Sequence, residues 1–193
     1  MIDYLLQLDE ATFIYLNTLR NSQWDAFWLF VTHKLSWIPL YLILLSLLFL
    51  KYNWKITLLI LFYVLLLIIA SDQLANFFKF FVERPRPCKV SNLSEVIRVV
   101  SSRCSAYGFY SAHASNSMAL AVFVGLLLKP YYKTLLFYLL FWVVLVSYSR
   151  IYVGVHYPLD IVCGMGIGVL LGFLFYLGFR RLKNNKGLAF FKM

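Results

Sequence analysis

Three short polar stretches interrupt a sequence that is otherwise rich in apolar residues. They are Lys79-x6-Arg86-Pro87, Tyr110-Ser111-Ala112-His113 and Ser149-Arg150-x5-His156-x3-Asp160. Together they contain three cations, two imidazoles and one carboxylate. These groups suit the binding of a phosphate and its transfer to a histidine, because cations neutralise phosphate oxygens and an imidazole can act as a nucleophile.

The three cations are predicted to bind the phosphate. Arg86 and Arg150 offer planar guanidinium groups that match phosphate oxygens, and Lys79 offers a mobile point charge. Ser111, Ala112 and His113 stand at a predicted helix start, where free N–H groups and the helix dipole favour an anion.

The two histidines allow a division between nucleophile and acid. His156 is followed four residues later by Asp160, whose carboxylate can accept the ring Nδ1–H and stabilise an imidazolium. His113 is then the candidate acid for the leaving oxygen. Asp72 lies on the same helical face as Lys79, and we interpret it as a buried partner that helps to hold the cationic helix end.

Composition indicates a membrane protein rather than a soluble domain. The chain is 62% hydrophobic and 13% charged, with a mean hydropathy of +0.77. Soluble domains are about 45–50% apolar and about 25% charged. The net charge of +10 does not indicate nucleic-acid binding, because no soluble basic domain is available to carry it. The length fits one domain, residues 1–193.

The predicted fold is an all-α transmembrane bundle with five spans. They cover residues 35–50, 54–81, 111–128, 134–149 and 158–179, each bounded by turns with basic or polar residues. Residues 1–33 are predicted to form an interfacial segment with an amphipathic helix, although a sixth crossing made from them would move only the N-terminus. Residues 82–110 form the only sizeable soluble loop, and residues 180–193 form a basic tail.

The distribution of basic residues predicts the orientation. The turns at Lys51/Lys55 and Lys129/Lys133 and the tail lack acidic residues, which is typical of cytoplasmic segments. Five spans then place the 82–110 loop and the 150–157 link together on the opposite face. The polar stretches are therefore expected to meet there, which predicts a phosphate site at the edge of the bundle and a phosphorylated lipid as substrate.

The three stretches resemble the signature of the type-2 phosphatidic acid phosphatase superfamily, K-x6-RP, PSGH and SR-x5-H-x3-D. The first and third match in full. The second departs from the pattern, because Tyr110 stands for Pro and Ala112 for Gly. The backbone N–H of Ala112 is retained, so the departure concerns substrate choice more than activity.

The resemblance implies a role for each matching residue. His156 would form a phosphohistidine, and His113 would protonate the leaving group and then activate water. The remaining matches, Lys79, Arg86, Ser111 and Arg150, would bind phosphate. No metal and no cofactor would be needed.

The sequence therefore predicts a multi-pass lipid phosphatase of the bacterial inner membrane, with its active site on the periplasmic face. Its partners would be the bilayer and a phospholipid or polyprenyl phosphate, and the oligomeric state stays open. Undecaprenyl diphosphate is the first choice of substrate, because small bacterial proteins resembling this one often recycle that carrier. Phosphatidylglycerophosphate or a lipid A phosphate is the alternative.

Three other classes of protein fit the sequence less well than a lipid phosphatase does. A transporter would place ionisable groups near the bilayer midplane, whereas here they cluster at one end of the spans. A scaffold that binds phosphate without turnover would not need the nearly complete set of catalytic residue types. Vanadate-dependent haloperoxidases resemble the site but are soluble.

Two of the three cysteines, Cys88 and Cys104, lie in the same predicted outer loop. A disulfide between them is our hypothesis, because that loop faces an oxidising compartment. Two free thiols are the alternative.

Overall fold

The chain forms a helical bundle. A computed structural model describes residues 2–19, 21–93, 95–101 and 104–184. Within these ranges the α-helices are α1 (Ile2–Thr18), α2 (Asp25–Thr32), α3 (Ile38–Lys51), α4 (Trp54–Val82), α5 (Ala112–Leu128), α6 (Leu135–Tyr152) and α7 (Pro158–Asn184). Short 3-10 helices cover Ser22–Trp24, Lys34–Trp37, Pro87–Lys89 and Ser91–Leu93.

The predicted all-α membrane bundle is confirmed. Among the described residues, four helical segments are long and apolar enough to cross a membrane, namely Lys34–Lys51, Trp54–Val82, Leu135–Tyr152 and Pro158–Asn184. The fifth predicted span corresponds to α5, an apolar helix of 17 residues. Two ends differ from the prediction, since α6 continues to Tyr152 and α7 to Asn184. No glycine or proline interrupts α6 before Gly154, which has a φ of +81°. The tail beyond Asn184 lies outside the described residues.

Helix α1 packs one face against the protein. Asp9, Phe13 and Asn17 are buried on that face, whereas Leu5, Leu8 and Tyr15 are exposed. The Nδ2 group of Asn17 donates to the carbonyl oxygens at the end of α6. The exposed apolar side chains suit contact with lipid.

Helices α5 and α7 pack against each other at close range. Gly164, Gly168 and Gly172 form a stripe along α7 that faces the backbone of α5. A Cβ atom at Gly168 would lie 2.5 Å from the carbonyl oxygen of Ser115 and 2.8 Å from Cβ of Met118. Small residues of this kind allow membrane helices to approach closely. The contact brings the start of α7, with Asp160, beside the start of α5, with His113.

The main apolar core fills the interior between α4, α5, α6 and α7. Its fully buried members include Ile60, Leu67, Phe123, Val143 and Phe179. Helix α3 contributes Leu44 and Leu48 from one side. Because these side chains interlock, the ends of the four helices are held in fixed relation to one another.

The loop between α4 and α5 folds back over one end of the bundle. Helix α4 ends at Val82, and its C-cap residue Glu83 adopts a left-handed conformation with φ of +50°. An isolated antiparallel bridge joins Pro85 to Tyr107. Further along the loop a disulfide joins Cys88 to Cys104, with 6.6 Å between their Cα atoms. The structure thus pairs the two cysteines that the sequence analysis grouped together.

Candidate active site

The three polar stretches meet at one cavity. It has a volume of about 750 Å³ and its lining includes Lys79, Arg86, Ala112, His113, Arg150 and His156. These residues come from the end of α4, the loop that follows it, the first turn of α5, the last turn of α6 and the α6–α7 link. The structure therefore brings together six of the predicted site residues although up to 77 positions separate them in the sequence.

His156 and Asp160 form a buried pair at the base of this cavity. The Nδ1 atom of His156 lies 3.3 Å from Oδ2 of Asp160, and the side chains are 2% and 1% exposed. The backbone N–H of Tyr157 donates to the same carboxylate oxygen at 3.1 Å. With Nδ1 directed at a carboxylate, the Nε2 atom is left to carry the lone pair of the neutral ring.

The surroundings of His156 favour its neutral form. Burial lowers its pKa to about 4, and the hydrogen bond to Asp160 and the carboxylate charge oppose that shift. The charges of Arg86 and Arg150 lower the pKa further. At neutral pH the ring is therefore uncharged and its Nε2 atom can act as a nucleophile.

Two guanidinium groups line the cavity with most of their surface buried. Arg86 is 8% exposed, and its Nε donates to the carbonyl oxygen of Tyr107 at 2.9 Å. Arg150 is 9% exposed, and its Nη1 donates to Oγ1 of Thr32, while its Nε has no partner among the described residues. Burial lowers the pKa of Arg86, and the charge of Asp160 opposes that shift. Buried cations with unused N–H groups are suited to an anionic ligand.

Ser111 stands at the start of α5, as predicted, and its part in phosphate binding stays a prediction. Its side chain is 0% exposed and is not part of the cavity lining. It is the N-cap residue of α5, where its Oγ accepts from the N–H of Ala114 at 3.5 Å. Its backbone N–H donates to the carbonyl oxygen of Asp160 at 3.0 Å. Ser111 thus ties the start of α5 to the start of α7, while Ala112 and His113 face the cavity.

Asp72 also lines the cavity, and it precedes Lys79 by about two helical turns on α4. Its Oδ1 accepts a hydrogen bond from Nδ2 of Asn116 at 2.8 Å. No ion pair between Asp72 and Lys79 is present within the described part of the chain. Asp72 therefore joins α4 to α5 through an amide, and it acts on Lys79 only through its charge.

Sequence reasoning missed two ionic residues behind the site. Arg84 donates from Nη1 to Oδ1 of Asp160 at 2.9 Å, and Asp9 of α1 pairs with Arg84. Neither Arg84 nor Asp9 is a defining residue of the three motifs. The burial of a single acid inside an otherwise amphipathic helix can be seen only when the helix has been placed against the bundle.

Gly108 is a second kind of residue that the motifs do not reveal. A Cβ atom there would lie 3.0 Å from Cγ of Arg86, 3.3 Å from Oδ2 of Asp160 and 3.7 Å from Nδ1 of His156. Its N–H donates to the carbonyl oxygen of Arg84 at 2.9 Å. The loop can lie this close to the His156–Asp160 pair because a hydrogen takes the place of a side chain.

The link between α2 and α3 adds further groups to the cavity. Lys34 and Thr32 line it, although both precede the first predicted motif. Lys34 forms no ion pair within the described residues, and its charge acts on His113 and Lys79. The cationic end of the cavity is therefore larger than the three motifs alone predict.

Away from the cations the lining of the cavity is mostly apolar. It includes Leu35 from the link before α3 and Ile38, Leu45, Leu61, Ile68, Leu120 and Val146 from α3 to α6, together with the polar side chains of Asn76, Asn116 and Ser117. Trp142 and Tyr41 stand edge to face in this part, with ring centroids 6.3 Å apart. One cavity thus offers cations and imidazoles at one end and hydrocarbon contacts at the other, as an amphipathic phosphate-bearing ligand requires.

Comparison with known proteins gives the same picture. A family model, the PAP2 superfamily, matches residues 57–184. A lipid A 4'-phosphatase of Bacteroides thetaiotaomicron is 34% identical over 91% of this chain and 79% of its own length. A lipid A 4'-phosphatase of Porphyromonas gingivalis is 33% identical over 91% of this chain and 74% of its own length.

Two solved structures share the fold. A transmembrane PAP2-type phosphatidylglycerolphosphate phosphatase from Bacillus subtilis has a TM-score of 0.74 at 23% identity, covering 95% of this chain and 90% of its own. LpxE of Aquifex aeolicus has a TM-score of 0.66 at 26% identity, covering 87% of this chain and 94% of its own. The resemblance predicted from the three motifs is confirmed, and the chain belongs to the PAP2 superfamily as a multi-pass membrane lipid phosphatase.

Proposed function

We propose that this protein removes a phosphate group from a glycolipid of the lipid A class. The observation that carries the proposal is the single cavity in which buried cations and two histidines adjoin an apolar groove. The choice of lipid A rests on the two relatives of that name, which match over 91% of this chain. It replaces undecaprenyl diphosphate, the first choice from sequence. The undecaprenyl-diphosphatase match, from Sulfolobus acidocaldarius, spans only 31 residues.

The first chemical step transfers the phosphoryl group to the enzyme. Nε2 of His156 forms a bond to phosphorus while the bond from phosphorus to the lipid oxygen breaks. The lipid oxygen leaves with the electron pair and takes a proton from His113, whose cationic form is favoured once the negative phosphate occupies the cationic end of the cavity. Nδ1 of His156 keeps its proton, which it donates in a hydrogen bond to Asp160, and the carboxylate stabilises the cationic ring that results.

The second step regenerates the enzyme. His113, now neutral, takes a proton from water as the water oxygen bonds to phosphorus and the N–P bond breaks. Inorganic phosphate leaves, and His156 regains its neutral Nε2. Lys79, Arg86 and Arg150 hold the phosphate oxygens in both steps, because the charge on those oxygens persists through the transition state. This sequence of steps needs no metal ion.

The shape of the cavity suggests how the substrate binds. The acyl chains occupy the apolar part of the cavity between α3 and α6, and the phosphate contacts the cations at its other end, at the mouth of the bundle. We place this mouth on the periplasmic side of a bacterial inner membrane, because Lys51, Lys55, Lys129 and Lys133 lie in turns at the opposite end.

The proposal is tested by phosphate release from purified lipids. The protein in detergent is offered lipid A, phosphatidylglycerophosphate, phosphatidic acid and undecaprenyl diphosphate, each with and without EDTA. We expect the highest kcat/KM with lipid A, unchanged by EDTA, and no release by His156→Ala. A preference for undecaprenyl diphosphate would contradict the lipid A assignment. Loss of activity with EDTA would contradict the metal-free mechanism.

A further inference from the structure

Arg84 stands between two carboxylates behind the candidate nucleophile. Its Nη1 donates to Oδ1 of Asp160 at 2.9 Å, and its Nη2 donates to Oδ2 of Asp9 at 2.6 Å. The guanidinium carbon lies 4.1 Å from the ring centroid of Tyr157, so the group is also held against an aromatic ring. Asp160 in turn faces Nδ1 of His156. A continuous polar chain thus runs from α1 to the site.

Asp9 is built into this chain as a carboxylate. It is 4% exposed, and its second oxygen, Oδ1, accepts from the N–H of Leu159 at 2.8 Å. Both oxygens therefore accept hydrogen bonds, and neither is needed as a donor. Burial raises the pKa of Asp9, whereas Arg84 and the Leu159 N–H oppose that shift. Asp9 does not line the cavity, so it cannot touch the substrate.

The formal charges of this cluster explain why a second carboxylate is useful. Arg84 alone would cancel the charge of Asp160, and the ring of His156 would face a neutral pair. With Asp9 present, two carboxylates and one guanidinium leave one net negative charge behind His156. A net negative charge stabilises the cationic ring that exists while the phosphoryl group is attached.

We propose that Asp9 is a positioning residue that acts through Arg84. Its carboxylate offsets the positive charge of Arg84, so that Asp160 keeps both its orientation and its negative charge beside His156. The inference rests on the proposed phosphohistidine mechanism. It gives α1, which precedes the matched family region of residues 57–184, a direct part in the chemistry.

Three variants separate this electrostatic role from a merely structural one. Asp9→Asn keeps the shape of the side chain but leaves Arg84 to neutralise Asp160. Arg84→Gln removes the guanidinium charge, and Asp9→Asn/Arg84→Gln removes both charges and restores one net negative charge on Asp160. Glu10→Gln is the matched control, because Glu10 is the next residue on α1 and is exposed.

The measurements are the rate at which radiolabelled lipid A phosphorylates the enzyme and the steady-state kcat and KM for its hydrolysis. We expect Asp9→Asn to slow both rates about 10- to 100-fold, as is usual for groups that orient a reacting residue, with KM within about twofold. Arg84→Gln should be less harmful than Asp9→Asn. The double variant should be faster than Asp9→Asn, and Glu10→Gln should equal the wild type.

A structural role predicts the opposite order, because Arg84→Gln breaks more contacts than Asp9→Asn and the double variant would be the worst of the three. That order would overturn the proposal, as would an Asp9→Asn rate within twofold of the wild type. If Asp9→Asn is not recovered folded, Arg84→Gln is compared with the double variant instead. We expect these two variants to have equal phosphorylation rates, because Asp9 acts through Arg84 and both variants lack Arg84. A double variant clearly slower than Arg84→Gln would then overturn the proposal. A wild-type protein that releases no phosphate from any lipid would instead refute the proposed function.

Discussion

His156 shows how strongly burial controls the protonation of a histidine side chain. Its ring is 2% exposed and is surrounded by two arginines and a carboxylate that itself pairs with Arg84. The same ring on a protein surface would titrate near pH 6.5. At this scale the chemistry depends on charge and proton position, and each histidine leads to one prediction.

The first prediction concerns pH. The pKa of His156 is lowered to about 4, so the neutral nucleophile persists as the pH falls from 7 to 5 and is lost as the pH falls through about 4. We expect the acid limb of the phosphoenzyme formation rate to lie well below pH 6.5. Single-turnover rates between pH 3.5 and 8 will test this, with the titration of the substrate phosphate measured separately. An acid limb at 6.5 that the substrate does not account for would contradict the buried, neutral histidine.

The second prediction separates the two histidines. In His113→Ala the phosphoryl group can reach His156, but no base remains to activate water. We expect this variant to accumulate phosphate on His156 when a substrate with a good leaving group is supplied, with hydrolysis reduced about 100-fold or more. Mass analysis of peptides from the trapped protein gives the site. His33→Ala serves as the control, because His33 is exposed and does not line the cavity. Phosphate found on another residue would refute the nucleophile assignment.

At the scale of elements, the α5–α7 contact sets the distance between the two histidine-bearing segments. His113 lies in the first turn of α5, and His156 lies two residues before α7 begins. The hydrogen bond from the Ser111 N–H to the Asp160 carbonyl joins the two helix starts. The geometry of the site therefore depends on how closely two helices approach over several turns below it.

Gly168→Ala should disturb this approach. The added methyl would lie 2.5 Å from the Ser115 carbonyl oxygen, which is backbone and cannot move aside. We expect a loss of about 1–3 kcal/mol in the free energy of unfolding, with reduced kcat. Gly166→Ala is the matched control, because nothing lies within 4 Å of a Cβ atom at Gly166. Thermal unfolding in detergent measures the effect. Equal stability of the two variants would contradict the close packing.

The loop over the site provides an element-scale prediction of its own. Cys88 and Cys104 are paired across 16 positions. Replacing both by serine should lower stability by about 3 kcal/mol, as is typical of a ring of that size. Mass analysis of the alkylated protein, with and without reductant, checks the bond directly. Only Cys163 should react in the untreated unfolded protein, and two further reactive thiols would refute the pairing.

At the scale of the whole molecule, the helices place all the site residues at one end of the bundle. The basic turns at Lys51 and Lys129 lie at the other ends of the helices that carry the site. Polar contacts made by α1 and α2 then cover the end of the bundle that holds the site. One of them is the ion pair between Asp25 and Arg98. Orientation in the membrane thus decides which compartment the substrate phosphate must face.

This orientation can be measured. We expect Glu95→Cys in the outer loop to react with a membrane-impermeant maleimide in intact spheroplasts. Lys129→Cys in the α5–α6 turn should react only after the membrane is opened. The unsubstituted protein is the control for its own cysteines. Labelling of Lys129→Cys in intact spheroplasts would reverse the proposed orientation.

Much of this molecule could be predicted from sequence because its signals are local. Apolar runs near the length of a bilayer crossing indicated the helices, and fixed spacings indicated Lys79, Arg86, Arg150 and the pair His156 and Asp160. The contact between His156 and Asp160 also depends on the turn that enters α7, because His156 lies two residues before that helix begins. Helix ends were less well predicted, since α6 continues past Ser149 and carries Arg150 in its last turn.

The tertiary structure alone decided which polar residues serve the site from a distance. Ser111 belongs to a matching motif, yet its side chain caps α5 and does not line the cavity. Asp9 belongs to no motif, yet it is buried and pairs with Arg84. Burial and partners depend on contacts between segments far apart in the chain, and no local pattern encodes them. The sequence motifs therefore determined which reactive side chains are present. The packing of α1, α5 and α7 determined the charges that surround those side chains and the distances between them.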